Sequence, residues 1–217
     1  MHLKRQKVNT AWPIPRKGTK YVVVTSHEKN NGIPILIILR DILKLAKNRK
    51  EVKKILNQKT VSLNGKAVHK DNQVAVPFDI ITIRKKKYEL VFSEKGKFTV
   101  KETEKTEKTI KVTGKKILKN KKTQLNLLYG KNIISDEKVK VGNSVVIKEN
   151  KITKVIPIEI GKSAVVLSGK HIGKEGEIKK IEGKIAVLHS KGENINVPIK
   201  NMMVIKWTKK TKWEKLK

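Results

Sequence analysis

The stretch "RDILKLAKNRKEVKKILNQKTVSLNGKAVHKD" (residues 40–71) decides the fold of the first part of this chain. Apolar residues at positions 35, 38, 42 and 45 recur at helical spacing, and Pro34 before them suits the first position of a helix. Asn48 then precedes Glu51 by three residues, the spacing of a capping box at the start of a second helix. The apolar face of that second helix consists of Val52, Ile55 and Leu56.

A hairpin follows the two helices. Alternating apolar and polar residues lead up to Asn64 and Gly65, a pair that favours a type I′ turn. The chain returns as a second strand over 66–68, and "DIITIRK" (79–85) supplies a third. The stretch therefore predicts a helix–helix–hairpin–strand module over residues 34–87.

The polar faces of the two helices carry a high density of positive charge. Residues 40–59 contain eight basic and two acidic side chains. Like charges one turn apart each cost an isolated helix about 0.2–0.5 kcal/mol, whereas a phosphate backbone turns the repulsion into attraction. The like-charged pairs are Arg40 with Lys44, Arg49 with Lys53, and Lys50 with Lys54. A nucleic-acid backbone is the partner that this pattern predicts.

From residue 88 onward, strand-like runs replace the helical period. Their regular spacing predicts a central β domain over 88–160 and a five-stranded, SH3-like barrel over 161–205. The charge-alternating segment "KETEKTEKT" (101–109) is expected to be a solvated strand or hairpin tip. The predicted fold class is α+β and mostly β, with the helical module followed by two small β-barrel-like domains.

The loop "LSGKHIGKEGEI" (167–178) poses the question of nucleotide binding, because glycines beside basic residues can cradle a phosphate. A P-loop needs one more residue between its glycines than Gly169 and Gly173 allow, and a hydroxyl where an acid follows Lys174. Strand patterns flank the loop on both sides, so we interpret it as a corner between strands. Its basic donors for phosphate or sugar are Lys170, His171 and Lys174.

Composition excludes several classes of protein. The 217 residues include 52 Lys and Arg against 19 Asp and Glu, a formal net charge of +33. Such an excess disfavours a compact state unless a polyanion neutralises it, so nucleic acid is the leading partner, ahead of an anionic membrane. No run approaches the roughly 18 apolar residues of a spanning helix. Without a secretory signal in the sequence, a cytoplasmic protein is expected.

The sequence predicts neither a metal nor a cofactor. Cysteine is absent, and the five histidines are not at metal-ligand spacing from one another. Five arginines against 47 lysines favour neutralisation by point charges and recognition of RNA shape over bidentate reading of bases. Only nine aromatic residues argue against a single-strand binder that stacks bases.

Both ends of the chain are basic. Residues 1–33 form an N-terminal arm whose first 20 residues hold six basic residues and no acid. Such an arm is typically disordered alone and becomes ordered on a polyanion. Trp12 argues mildly against full disorder, because an indole gains little from staying in water. Residues 206–217 form a basic tail. The predicted RNA contacts of the arm are Lys4, Arg5, Arg16 and Lys17.

Two parts of the chain resemble known RNA-binding modules. The helical module is similar to the S-four (alpha-L) RNA-binding domain, including the hairpin "VSLNGKAVHKD" (61–71), and the loop at 167–178 resembles a KOW motif. The first resemblance implies that the helical face and hairpin grip structured RNA, with Asn64 and Gly65 shaping the turn. The second implies an RNA approach at Gly173 and its basic neighbours. The residues implicated in the helical module are Arg40, Lys44, Lys47, Arg49, Lys50, Lys53, Lys54, Lys66, His69 and Lys70.

The order of these parts resembles the S-four-e family of small-subunit ribosomal proteins over nearly the whole chain. A basic "HLKR" start, "IPILIILRDILKLA", the hairpin, "VKVGNSVVI" and the KOW segment follow one another as in that family. The arm and tail are shorter than in some relatives. The resemblance implies a non-catalytic protein of the cytoplasmic ribosome, in contact with small-subunit rRNA and neighbouring ribosomal proteins.

Two other functions stay open on the residues alone. An RNA-modifying enzyme with such a module needs a further domain with a catalytic aspartate, whereas the few aspartates here are placed in a helix or near turns. A KOW-containing transcription, translation or assembly factor that binds RNA transiently needs a partner-binding α/β domain, which the sequence does not indicate. The four aspartates are Asp41, Asp71, Asp79 and Asp136.

Overall fold

The computed structural model describes residues 2–27, 31–93, 95–119, 122–135, 137, 139–148, 151–190 and 192–205. The chain divides into two compact units. The first comprises Met1–Lys108 with Ile147–Lys151, and the second comprises Thr109–Val146 with Ile152–Lys217. The basic tail at 206–217 lies outside the described residues. The mostly β, α+β class is confirmed.

The first unit combines two helical segments with three small sheets. A five-stranded sheet has the order β5-β4-β7-β8-β9, and two-stranded sheets pair β1 with β2 and β3 with β6. A single 3₁₀ turn covers Arg5–Lys7. The strands are β1 (Leu3–Lys4), β2 (Tyr21–Val22), β3 (Ile33–Pro34), β4 (Val61–Leu63), β5 (Lys66–Ala67), β6 (Val74–Ala75), β7 (Ile80–Ile83), β8 (Lys86–Phe92) and β9 (Phe98–Glu102).

The first helical segment is shorter than its apolar pattern predicts. It begins as α1 (Ile35–Ile37) and continues as a π-helical turn over Ile38–Ile42. Every residue from 35 to 39 is buried, so the segment is apolar all round rather than along one face. The prediction that Pro34 opens the helix is wrong by one residue, because Pro34 is extended and pairs with Val74 in the β3–β6 sheet.

The second helix, α2 (Arg49–Asn57), and the hairpin match the prediction. The side chain of Asn48 accepts a hydrogen bond from the Glu51 amide at 2.9 Å and caps the helix. Strands β4 and β5 are joined by Asn64 and Gly65, both at positive φ (+51° and +83°), as a type I′ turn requires. Local signals alone therefore specify this part of the module.

The predicted N-terminal arm is part of the first unit rather than a separate extension. The indole of Trp12 is 3% exposed and donates to the carbonyl oxygen of Gly32 at 2.9 Å. The amide of Phe98 donates to the carbonyl oxygen of Ala11 at 2.8 Å. Because β8 and β9 also pair into this unit's sheet, its strands extend past the boundary that we placed at residue 87.

The second unit contains two five-stranded sheets. One has the order β12-β11-β10-β13-β14 and the other β18-β17-β16-β15-β19. Single 3₁₀ turns cover Leu128–Gly130 and Ile199–Asn201. The strands are β10 (Lys108–Ile117), β11 (Thr123–Leu127), β12 (Asn132–Ser135), β13 (Ser144–Lys148), β14 (Lys151–Ile156), β15 (Ser163–Val166), β16 (Glu175–Glu182), β17 (Ile185–Ser190), β18 (Glu193–Pro198) and β19 (Met202–Val204). Strand β12 was not predicted, whereas the five strands of the last sheet were.

Two lysines on β10 are buried, and they are the only buried lysines in the part of the chain that the structure describes. Lys108 forms an ion pair with Asp79, and both side chains are almost fully enclosed. The expectation of a solvated segment over 101–109 is therefore wrong at Lys108. A sequence pattern of alternating charges cannot show that one of those charges faces a buried carboxylate 29 residues away in the chain.

Candidate nucleic-acid interface

The outer face of α2 carries a cluster of exposed lysines. Lys50, Lys53 and Lys54 are all exposed, while Val52 and Leu56 on the opposite side are buried in the core of the first unit. The helix starts here because the Asn48 cap satisfies a free amide, and its 3.6-residue period places positions 50, 53 and 54 together. We call these three side chains the α2 lysine face.

No acidic side chain of α2 neutralises this face. The helix has one acid, Glu51, and its carboxylate accepts hydrogen bonds from the Lys47 amide at 2.7 Å and the Asn48 side-chain amide at 2.9 Å. Glu51 is thus engaged at the start of the helix, where its negative charge interacts favourably with the helix dipole. The positive charges of the α2 lysine face point to solvent, available to a polyanion.

The two predicted arginines next to this face are anchored by carboxylates. Arg40 donates through Nε and Nη2 to Asp41, with the shortest contact at 2.8 Å. Arg49 donates through Nε to the buried Asp71, and this hydrogen bond raises the pKa of Arg49. Both guanidinium groups are held in place while they remain partly exposed. The tie to a buried carboxylate gives Arg49 a structural role that the sequence did not indicate.

The hairpin presents basic side chains but uses its tip residue internally. The side-chain amide of Asn64 donates to Asp79 at 2.8 Å, and its oxygen accepts from the Ile80 amide at 3.0 Å. Asn64 therefore fixes the turn and has little capacity left for RNA, in line with the shaping role that the resemblance implies. The predicted residues that are exposed in the hairpin region are Gly65, Lys66, His69 and Lys70.

The segment between the helices adds two further predicted residues. Lys44 and Lys47 are exposed, and Lys44 has a left-handed backbone with φ of +54°. That conformation ends the first helical segment and redirects the chain toward Asn48. Lys44 and Lys47 thus lie in the connection that precedes α2.

The predicted arm residues divide into three exposed cations and one internally bonded arginine. Arg5 donates to the carbonyl oxygens of Thr19 and Pro15, both at 2.7 Å, and to the Thr19 hydroxyl at 2.9 Å. It therefore organises the 15–19 loop, a role that the sequence prediction of an RNA contact missed. The exposed members of the predicted set are Lys4, Arg16 and Lys17.

The glycine loop of the second unit lies between β15 and β16, as predicted for a corner between strands. Gly169 and Gly173 have φ of +94° and +83°. Gly176 differs, since a Cβ there would lie 2.5 Å from the carbonyl oxygen of His189. Two glycines therefore serve the turn and one permits a close approach of strands.

The basic side chains of this loop differ in how free they are. Lys170 is exposed and His171 is half-buried. The Nζ of Lys174 lies 3.7 Å from a carboxylate oxygen of Glu193, a distance typical of a weak surface ion pair. Lys170 is thus the most accessible cation of the loop.

Sequence reasoning overlooked one basic surface. The segment 115–122, "KKILKNKK", holds five lysines and no acid, and its described residues lie where the paired strands β10 and β11 end and begin. Lys115, Lys116, Lys119 and Lys122 are exposed there. The run of like charges was the available signal.

The described residues offer neither a metal cluster nor a membrane-spanning helix. Among the residues with described positions, no group of three His, Cys, Asp or Glu side chains is placed to hold a metal ion. Within the same residues, no helix combines the length and apolar character that crossing a membrane requires.

Comparison with known proteins identifies the family. The model of Ribosomal family S4e matches residues 84–152. A protein named small ribosomal subunit protein eS4 from Methanosphaera stadtmanae is 38% identical over 192 residues, covering 83% of this chain and 79% of the relative. The eS4 protein from Methanospirillum hungatei is 35% identical over 191 residues, covering 82% of this chain and 78% of the relative.

A solved structure agrees with the sequence relatives. The crystal structure of the 30S ribosomal protein S4e from Thermoplasma acidophilum matches with a TM-score of 0.69 at 28% identity. The match covers 82% of this chain and 96% of that one. With the basic surfaces, the fold and these relatives in agreement, the chain belongs to the ribosomal S4e family.

Proposed function

We propose that this protein is a structural constituent of the small ribosomal subunit that binds and organises rRNA. Its relatives carry the name of small ribosomal subunit proteins, and its net charge of +33 suits a polyanionic partner. Its place would be the ribosome in the cytoplasm, beside neighbouring ribosomal proteins. The proposal includes no catalysis and no cofactor.

The α2 lysine face is the observation that carries the rRNA contact. Lys50, Lys53 and Lys54 are exposed on one side of one helix, and the only acid of that helix is engaged in capping. An ordinary solvated helix mixes charges of both signs, because like charges repel. A phosphate backbone would convert this repulsion into attraction and release counterions.

Other basic surfaces extend the proposed contact. They lie on the arm, on the hairpin region and on the loop between β15 and β16. The exposed lysines of the β10–β11 hairpin join them. The proposed set comprises Lys4, Arg16, Lys17, Lys44, Lys47, Lys66, His69, Lys70, Lys115, Lys116, Lys119, Lys122, Lys170, His171, Gly173 and Lys174. Most of these are point charges on flexible stems, which favours recognition of RNA shape over reading of bases.

The rRNA contact is tested by charge reversal on the helix. We expect Lys50→Glu combined with Lys53→Glu to weaken binding to transcribed small-subunit rRNA by about ten-fold or more, since each lysine neutralises phosphate. Negative charges near the start of α2 interact favourably with the helix dipole, so we expect the variant to keep its fold. Filter binding at two salt concentrations measures the effect, and the variant should also show a shallower salt dependence.

A matched control comes from the β8–β9 turn of the same unit. Lys95→Glu with Lys97→Glu changes the net charge equally, and both lysines are exposed. We expect a much smaller loss of affinity there. Equal losses of rRNA affinity in the two variants would mean that the α2 lysines contribute only to the overall positive potential of the protein.

Stable membership of the subunit is tested by sedimentation. We expect the protein in a cell lysate to co-migrate with small subunits through a sucrose gradient and to remain with them after a high-salt wash. Release by salt, or migration with RNA polymerase, would instead favour a transient factor of the kind that a KOW segment also suits.

A further inference from the structure

A cleft in the first unit collects three of the chain's five arginines. Its volume is about 450 Å³, and its polar wall includes Arg5, Arg40 and Arg49. The apolar wall is formed by Val22, Val23, Val24 and Leu36. Of the chain's 47 lysines, none among the residues that the structure describes lines this cleft. The arginine-rich lining therefore sets the cleft apart from the lysine surfaces.

The guanidinium groups of Arg40 and Arg49 are oriented for a ligand. One edge of the Arg40 guanidinium donates to Asp41, and Nε of Arg49 donates to Asp71. These contacts leave Nη1 of Arg40 and both terminal nitrogens of Arg49 without a protein partner among the described residues. A fixed guanidinium presents its remaining N–H groups in a planar fork that matches a phosphate.

An exposed aromatic ring lines the same cleft. Tyr21 is 46% exposed, and its ring lies 5.1 Å from the ring of His2, centroid to centroid, at 39°. The Nζ of Lys20 lies over the Tyr21 ring, 5.5 Å from its centroid, in a surface cation–π contact that a base would displace. The contact with His2 and the pairing of Tyr21 with Lys4 in the β1–β2 sheet hold this ring in place. An exposed, supported ring is a surface on which a nucleic-acid base can stack.

We propose that this cleft binds one unpaired nucleotide of rRNA, with its phosphate on Arg40 and Arg49 and its base on Tyr21. The inference rests on the proposed function and adds a specific site to it. The cleft volume falls in the range of about 300–1,000 Å³ that small-molecule ligands occupy, larger than a lone phosphate group needs. The apolar wall beside the arginines suits a base, whereas a paired nucleotide keeps its base stacked in the helix.

Tyr21 gives the sharpest test. Ultraviolet irradiation of the full chain bound to transcribed small-subunit rRNA should cross-link the Tyr21 peptide to a nucleotide that chemical probing finds unpaired in free rRNA. Tyr21→Leu should lose that cross-link and bind the rRNA about five-fold more weakly, because base stacking on an aromatic ring is lost. Tyr21→Phe should keep both.

The arginines of the site are tested by replacing them with lysine, which keeps the net charge of the protein unchanged. Arg40→Lys with Arg49→Lys should weaken binding by about ten-fold, since lysine cannot make bidentate contacts. Arg84→Lys, at an exposed turn between β7 and β8, is the matched control and should bind as the natural chain does. Circular dichroism checks that all variants are folded.

The outcomes separate this inference from the proposed function. If cross-links are confined to lysine-bearing peptides and Tyr21→Leu binds normally, the nucleotide site is wrong while rRNA binding stands. A Tyr21 cross-link to a base-paired nucleotide also overturns the site. If the natural chain does not bind the rRNA at all, both proposals fail.

Discussion

Lys108 and Lys111 lie three residues apart on β10, are 6% and 4% exposed, and have opposite surroundings. Lys108 pairs with Asp79, which also accepts hydrogen bonds from the side chain of Asn64 and the amide of Val76, at 2.8 and 2.9 Å. The region around Asp79 is thus a buried ionic network within the first unit, and it ties Lys108 to the hairpin turn.

Lys111 instead faces backbone carbonyls in the second unit. Its Nζ donates to the carbonyl oxygens of Ile199, Lys200 and Met202 at 2.5, 3.2 and 2.9 Å. These partners carry partial charges and cannot balance a buried cation, so burial lowers the pKa of Lys111 to about 8. The comparison shows that a chain with 47 lysines buries one by matching its charge and another by making its charge easier to lose.

The largest effect is expected at the matched pair. Lys108→Met should lower the free energy of unfolding by about 3–5 kcal/mol, because the carboxylate of Asp79 is left buried without its counter-charge. Urea unfolding followed by circular dichroism measures the loss. Adding Asp79→Asn to this variant should recover part of it, since the uncompensated charge is then removed.

The control for that variant is Lys105→Met. Lys105 lies in the same charged segment, but its contact with Glu89 is on the surface at 3.2 Å. Its replacement should change the free energy of unfolding by no more than about 0.5 kcal/mol. Similar losses for Lys105 and Lys108 would show that the Asp79 network contributes no more than a surface ion pair.

A smaller effect, dependent on pH, is expected at Lys111. The folded protein releases this proton near pH 8, whereas the unfolded chain keeps it up to the ordinary pKa of 10.5. Between these values the unfolded state binds more protons, so this residue makes stability rise with pH; below pH 8 both states are protonated and the contribution is constant. Relative to Lys111→Met, the natural chain should gain about 2–3 kcal/mol between pH 8 and 10.5.

The comparison with Lys111→Met removes the titration of the exposed lysines, which both proteins share. Urea unfolding at several pH values between 7 and 10.5 supplies the difference. A constant difference across this range would mean that the proton of Lys111 is equally stable in both states. The carbonyl partners would then balance burial as well as a carboxylate does.

The elements that the sequence predicted well are those with strong local signals. The Asn48 cap, the alternation before Asn64 and Gly65, and the five strands around the 167–178 loop each depend on neighbours in the chain. The π-helical turn at Ile38–Ile42 was missed because the buried apolar run over 35–39 that leads into it has no polar face to fix its period. The folded arm was missed because its burial depends on a distant partner of Trp12.

The candidate interface divides in the same way. The exposure of the α2 lysines followed from the helical period, which places them opposite Val52 and Leu56. The internal contacts of Arg5 could not be predicted, since its partners lie 10 and 14 residues away in a loop without a pattern. The cleft with Tyr21 was also invisible, because it is lined from the arm, the first helical segment, α2 and the turn before β6.

By itself, the sequence determined a basic, mostly β protein with a helix–helix–hairpin module, because charge, period and turn chemistry are local properties. Only the tertiary structure decided which basic side chains bind groups within the protein itself. Lys108, Lys111, Arg5 and Arg49 look like any other basic residue in the sequence, yet each has partners within the fold. The physical reason is that burial and ion pairing depend on groups far apart in the chain, which only folding brings within a few ångströms.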